Sequence, residues 1–151
     1  MVVLDYYDGP TSGFLQCAEC EVSYYFYMLD WDVSQMVRVF ALSSMPHDSL
    51  ERVYSLLGAR PDRRVWIPPL LSRATEEQLS ALYDGGLQET IDRAAAPEFV
   101  VAWSVDGEKI LALRGIDAST ASHLSPWFDR QRGSDAFDWF GYLGLGELCH
   151  A

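Results

Sequence analysis

The chain opens on short runs in which apolar residues recur with the spacing of strands rather than helices. Val2, Val3 and Leu4 lead into Asp5-Tyr6-Tyr7 and stop at 8–13, "DGPTSG", a cluster of turn formers. Phe14-Leu15-Gln16 then leads into a turn that carries Cys17 and Cys20. From Glu21 to Trp31, "EVSYYFYMLDW", both alternating sets are apolar: Val22, Tyr24, Phe26 and Met28 against Tyr25, Tyr27 and Leu29. Such a pattern predicts a central strand covered on both sides. "DVSQ" turns the chain, and "MVRVFALSS" up to Ser44 predicts the next strand. The first forty-odd residues thus read as an antiparallel meander.

The period changes after Met45-Pro46. Asp48 and Glu51 have the spacing of a capping box, and Leu50, Val53, Tyr54 and Leu57 form the apolar face of a helix that Gly58 would end. "RRVWIPPLL" is a short extended piece cut by Pro68-Pro69. Thr75 and Gln78 open a second helix through Leu79, Leu82 and Tyr83; "DGG" breaks it, and "LQETIDRAAA" continues as a third up to Pro97. "EFVVAWSV" and "EKILALRG" flank Asp106-Gly107, which predicts a hairpin with a type I′ turn. Two helices follow, one capped by Ser125 with Pro126 at its first position, one capped by Ser134 with Phe137, Phe140, Tyr142 and Leu143 on its apolar face. The order β-β-β-α-β-α-α-β-β-α-α is that of an α+β fold: a mainly antiparallel sheet, built from the N-terminal meander plus the later hairpin, with helices packed on one face.

Composition adds size and compartment. A chain of 151 residues, 49% hydrophobic and without repeats or linker-like stretches, is expected to fold as a single globular domain over 1–151. Met1 runs straight into "VVLDYYDGP" with no signal-peptide pattern, and no apolar stretch approaches membrane-spanning length. Three cysteines are sparse and odd in number, which favours reduced thiols and a cytoplasmic location.

Charge changes the picture most. The net charge of −11 disfavours binding to nucleic acid or to an anionic membrane surface. It is also segregated: Asp5, Asp8, Glu19, Glu21, Asp30 and Asp32 all precede the first basic residue, Arg38, whereas Arg52, Arg60, Arg63, Arg64 and Arg73 follow with only Asp62 among them. Either the arginines fold back and pair with the acidic segment, or the acids stay free to dock a basic protein partner.

Candidate chemistry centres on Cys17-Ala-Glu-Cys20. Two thiolates at this spacing reach one zinc ion, but a closed site needs four ligands, and only Cys149, His150 and the distant His47 and His123 are on offer. Glu21 stands where such turns often carry a glycine to permit a left-handed residue. A thioredoxin-like redox pair requires its first thiol at a helix N-terminus, and the residues after Cys20 read as strand. Reduced thiols in a hairpin turn are therefore the simplest reading. His47-Asp48-Ser49 sits side by side, a poor arrangement for a triad that must converge in space. No nucleophile elbow, Walker-type loop or dinucleotide motif is present.

The leading expectation is a non-enzymatic, acidic interaction protein of the inhibitor, immunity or adaptor kind, whose residues Asp5, Asp8, Glu19, Glu21, Asp30 and Asp32 dock a basic partner. The alternatives are a small zinc protein built on Cys17, Cys20, Cys149 and His150, and an enzyme with an unfamiliar site near His47 or His123.

Overall fold

A computed structural model describes residues 1–57, 76–128 and 137–146, and the statements below concern those residues. Six strands form one antiparallel sheet in the order β1 to β6, the order of the chain itself. They are β1 (Val2–Tyr6), β2 (Pro10–Gln16), β3 (Ser23–Asp32), β4 (Val37–Ser44), β5 (Phe99–Ser104) and β6 (Lys109–Gly115). The helices are α1 (Ser49–Leu57), α2 (Glu76–Leu82), α3 (Gln88–Asp92), α4 (Ala118–Phe128) and the single turn α5 (Trp139–Tyr142). The α+β class and the antiparallel meander with its later hairpin are therefore present.

Strand β2 is a correction. Its first four residues, Pro10 to Gly13, read as part of a turn, yet they pair with β1, Val3 opposite Gly13 and Tyr6 opposite Pro10. Pro10 is tolerated because it is the first residue of the strand. Gly13 is required by proximity: a Cβ there would lie 2.1 Å from the Val2 carbonyl oxygen and 2.9 Å from the Phe26 ring. What looked like turn chemistry is a close approach of two strands.

The chain divides into two compact units, Met1–Phe26 with Ser43–Ala95, and Tyr27–Leu42 with Ala96–Ala151. In the first, Val2 and Leu4 of β1, Phe14 of β2, Met45, the α1 face Leu50, Val53 and Leu57, and Leu87 and Ile91 form one apolar cluster. Tyr54 packs against it, so the helical face read from the spacing is the one that is buried. Helix α2 and helix α3 are joined by Tyr83–Leu87, where Gly86 takes φ +122 and Thr90 donates its hydroxyl to the Gly86 carbonyl at 2.8 Å. The "DGG" break therefore stands: α2 and α3 are two helices that meet across a kink at the non-helical Gly86.

In the second unit, β4 and β5 pair from Val37 opposite Ser104 to Leu42 opposite Phe99, and β5 pairs with β6. Val37, Ala102 and Leu145 form a smaller cluster, with Leu111, Ala112, Phe140 and Leu143 against it. The hairpin is where it was predicted, but its turn is not type I′. The left-handed residue is Glu108 (φ 44), and the Gly107 amide donates to the Ser104 hydroxyl at 3.2 Å.

Helix α4 starts at Ala118, not after Ser125. Asp117 caps it, accepting from the Thr120 amide at 2.8 Å, and the helix runs on through Ser125 and Pro126. Helix α5 is capped by Asp138, which accepts from the Gly141 amide at 2.8 Å; the predicted cap Ser134 lies outside the described residues, as do Gly58, the "RRVWIPPLL" piece and Thr75.

Candidate functional site

The turn between β2 and β3 holds the two cysteines. Its closure is set by the backbone: the Cys17 amide donates to the Val22 carbonyl at 2.9 Å, and the Glu21 amide to the Cys17 carbonyl at 3.1 Å. The Gln16 side-chain amide adds a bond to the Glu21 carbonyl at 3.2 Å. Glu21 adopts φ +58, the left-handed conformation that the sequence argued against for want of a glycine. A knuckle therefore forms despite the glutamate, at a conformational cost that three local hydrogen bonds offset.

Inside that knuckle the Cys17 sulfur is an acceptor. The Cys20 amide, then the Cys20 thiol, then the Glu19 amide donate to it and hold the Cys17 thiol below its usual range; burial and the Glu19 carboxylate oppose this less strongly. Cys17 is half-buried and Cys20 exposed, and neither is in a disulfide. Residues 23 onward continue as strand β3, so no helix dipole contributes. Cys149 and His150 lie outside the described residues, and among the described residues no group of three metal ligands forms.

The six acids fall into separate places. Glu19 and Glu21 are exposed on the cysteine turn itself. Asp5 and Asp8 are exposed at the other end of β2, whose seven residues span about 20 Å. Asp5 accepts the Thr11 hydroxyl at 2.8 Å and the Tyr6 amide at 2.9 Å. Asp30 and Asp32 belong to the second unit and are half-buried. Asp30 accepts the Trp31 amide at 2.8 Å. Asp32 binds the Ser34 amide at 2.8 Å, the Ser34 hydroxyl at 2.7 Å and the Gln35 amide at 3.1 Å, so one of its oxygens shapes the β3–β4 turn.

Asp5, Glu19 and Glu21 form no ion pair with a described arginine. Arg52 pairs with Glu89 at 2.6 Å, and Arg93 with Asp48 at 2.7 Å. The Arg93 guanidinium beside Asp48 holds that carboxyl below its ordinary range. Arg38, the base that ends the acidic segment, is only 2% exposed, with its guanidinium 4.3 Å from the centre of the Trp31 ring. Nothing in the local sequence marks Arg38 as buried, because its position between Val37 and Val39 reads as the outward face of an alternating strand. Arg60, Arg63, Arg64 and Arg73 lie outside the described residues.

His47 is exposed on the turn before α1, and the neighbouring Asp48 is held by Arg93 while Ser49 is fully buried with its hydroxyl unpaired. The three do not converge. His123 falls on α4, its side chain outside the described set. Comparison of the chain with family models, with curated proteins and with solved structures finds no match.

Proposed function

We propose that this is a non-enzymatic, acidic interaction protein that docks a basic protein partner. The observation that carries the reading is the disposition of positive charge. Through residue 51 the sole arginine or lysine is Arg38, and its burial removes it from the surface. The next bases along the described chain, Arg52 and Arg93, are taken by Glu89 and Asp48. Asp5, Glu19 and Glu21 stay exposed, and no described cation pairs with them. Uncompensated surface charge of this kind accelerates encounter with an oppositely charged partner and rejects like-charged ones.

The test is capture from a lysate of the source cell by the wild-type chain and by a D5K/E19K/E21K variant, with identification of what is bound. A basic protein retained by the wild type, lost on charge reversal and eluted by moderate salt is the expected result. Equal recovery by both chains ends the docking reading.

A second reading, a small zinc protein, draws support from the knuckle, since amide-to-sulfur hydrogen bonds stabilise the thiolate form that a metal requires. Cys17 and Cys20 would supply two ligands and Cys149 and His150 the others. Elemental analysis of untagged protein decides it: about one zinc per chain supports it, and a small fraction of that does not.

A further inference from the structure

We propose that Cys17 and Cys20 form a reversible thiol–disulfide site that closes to an intramolecular disulfide by exchange with a small disulfide, preferring a cationic reagent to an anionic one. The proposal rests on the turn and is independent of partner docking.

Geometry carries the first part. The Glu21 amide bonded to the Cys17 carbonyl closes a five-residue turn, Cys17 to Glu21, within which the two cysteines, three residues apart, have their Cα atoms within about 7 Å. A disulfide spans Cα separations of about 4.4–6.8 Å, so closure needs no rearrangement of the flanking strands. Neither cysteine is in a disulfide, and Cys20 is exposed to a reagent from solvent. Backbone bonds at both ends of the turn, from the Cys17 amide and the Glu21 amide, keep that arrangement in the reduced state.

The chemistry balances with the reagent alone. Cys17, as its thiolate, attacks one sulfur of the reagent R–S–S–R; a Cys17–S bond forms, the reagent's S–S bond breaks, and one thiolate RS⁻ leaves. That thiolate takes up a proton. Cys20, after losing its own proton to solvent or to the released thiolate, attacks the Cys17 sulfur and expels the second RS⁻. Two cysteine thiols are oxidised, one disulfide is reduced to two thiols, and both protons end on the released RSH.

Electrostatics carries the second part. Glu19 and Glu21 are exposed on the same five-residue turn, and no described cation pairs with either. They repel an anionic disulfide such as oxidised glutathione and attract a cationic one such as cystamine, over distances within the Debye length of dilute buffer.

The experiment uses the full chain carrying Cys149→Ser, in the presence of a chelator so that bound metal cannot mask the thiols. Treatment with cystamine, alkylation and intact mass analysis should show a product lighter than the dithiol by two hydrogens, with Cys17 linked to Cys20 in its peptide map and both thiols recovered by reductant. Cystamine should react severalfold faster than oxidised glutathione in low salt, and E19Q/E21Q should abolish that preference. A product that stops at one attached RS group, or thiols that do not react, overturns the disulfide. A rate preference unchanged in E19Q/E21Q overturns the charge selectivity. Peptide mapping of the unsubstituted chain provides the same readout without any substitution.

Discussion

At the scale of single residues, four non-glycine residues take positive φ: Asp8 (50), Glu21 (58), Met36 (51) and Glu108 (44). Each ends a turn of the sheet, just ahead of β2, β3, β4 or β6. A left-handed residue before the returning strand restores its twist, and here it is supplied without glycine. The left-handed conformation costs an L-residue about 1–2 kcal/mol, and glycine gives back about half of that in chain entropy. Glu108→Gly is therefore expected to raise stability by up to about 1 kcal/mol, read from the midpoint of urea unfolding. The opposite outcome is expected at Gly13, where an added Cβ meets the Val2 carbonyl oxygen at 2.1 Å. Gly13→Ala should lose about 1–3 kcal/mol, and equal stability to wild type would show that β1 and β2 can separate freely.

At the scale of elements, the helices of the first unit are held by their apolar faces. Leu87, at the C-terminal end of the kinked connection between α2 and α3, is fully buried against β1, β2 and α1 residues. Leu87→Ala is expected to cost about 2–5 kcal/mol, the range for deleting a buried leucine without collapse of the cavity. A loss below about 1 kcal/mol would mean the site refills. The α1 face was legible from the spacing of Leu50, Val53, Tyr54 and Leu57, because burial against one side imposes the 3.6-residue period. Strand β2 was not legible, since Pro10, Thr11, Ser12 and Gly13 have turn-like composition and only the partner strand explains them. The start of α4 was missed for a different reason. Asp117 with Thr120 is a cap signal, but Ser125-Pro126 is a stronger pattern that happens to lie inside the helix.

At the scale of the whole molecule, the question is where an excess of 11 negative charges goes. Part is consumed in pairs, and their pH dependence has a definite sign. Asp48 has its carboxyl lowered chiefly by the hydrogen bond from Arg93, so its contribution is full above the ordinary aspartate value of about 3.9 and is lost as pH falls through the lower folded value. Asp117 behaves alike, through the Thr120 amide and hydroxyl. Denaturation of wild type and Asp48→Asn should therefore differ most near neutrality and converge in strong acid. A gap that persists at low pH would assign the effect to packing instead. The remaining exposed acids repel one another, so added salt is expected to raise the melting temperature as screening shortens their reach.

Sequence alone determined the strand-rich first forty-odd residues, the antiparallel α+β class, the later hairpin and the acid-rich segment that ends at Arg38. These follow from local periods and from counting, which need no knowledge of what lies across the sheet. Tertiary structure decided the rest: that Arg38 is inside, under the Trp31 ring; that Arg52 and Arg93 serve Glu89 and Asp48; and that Glu21 bends left-handed to set Cys17 beside Cys20. Each depends on partners remote in sequence or on a strained backbone angle, and local propensity is silent on both.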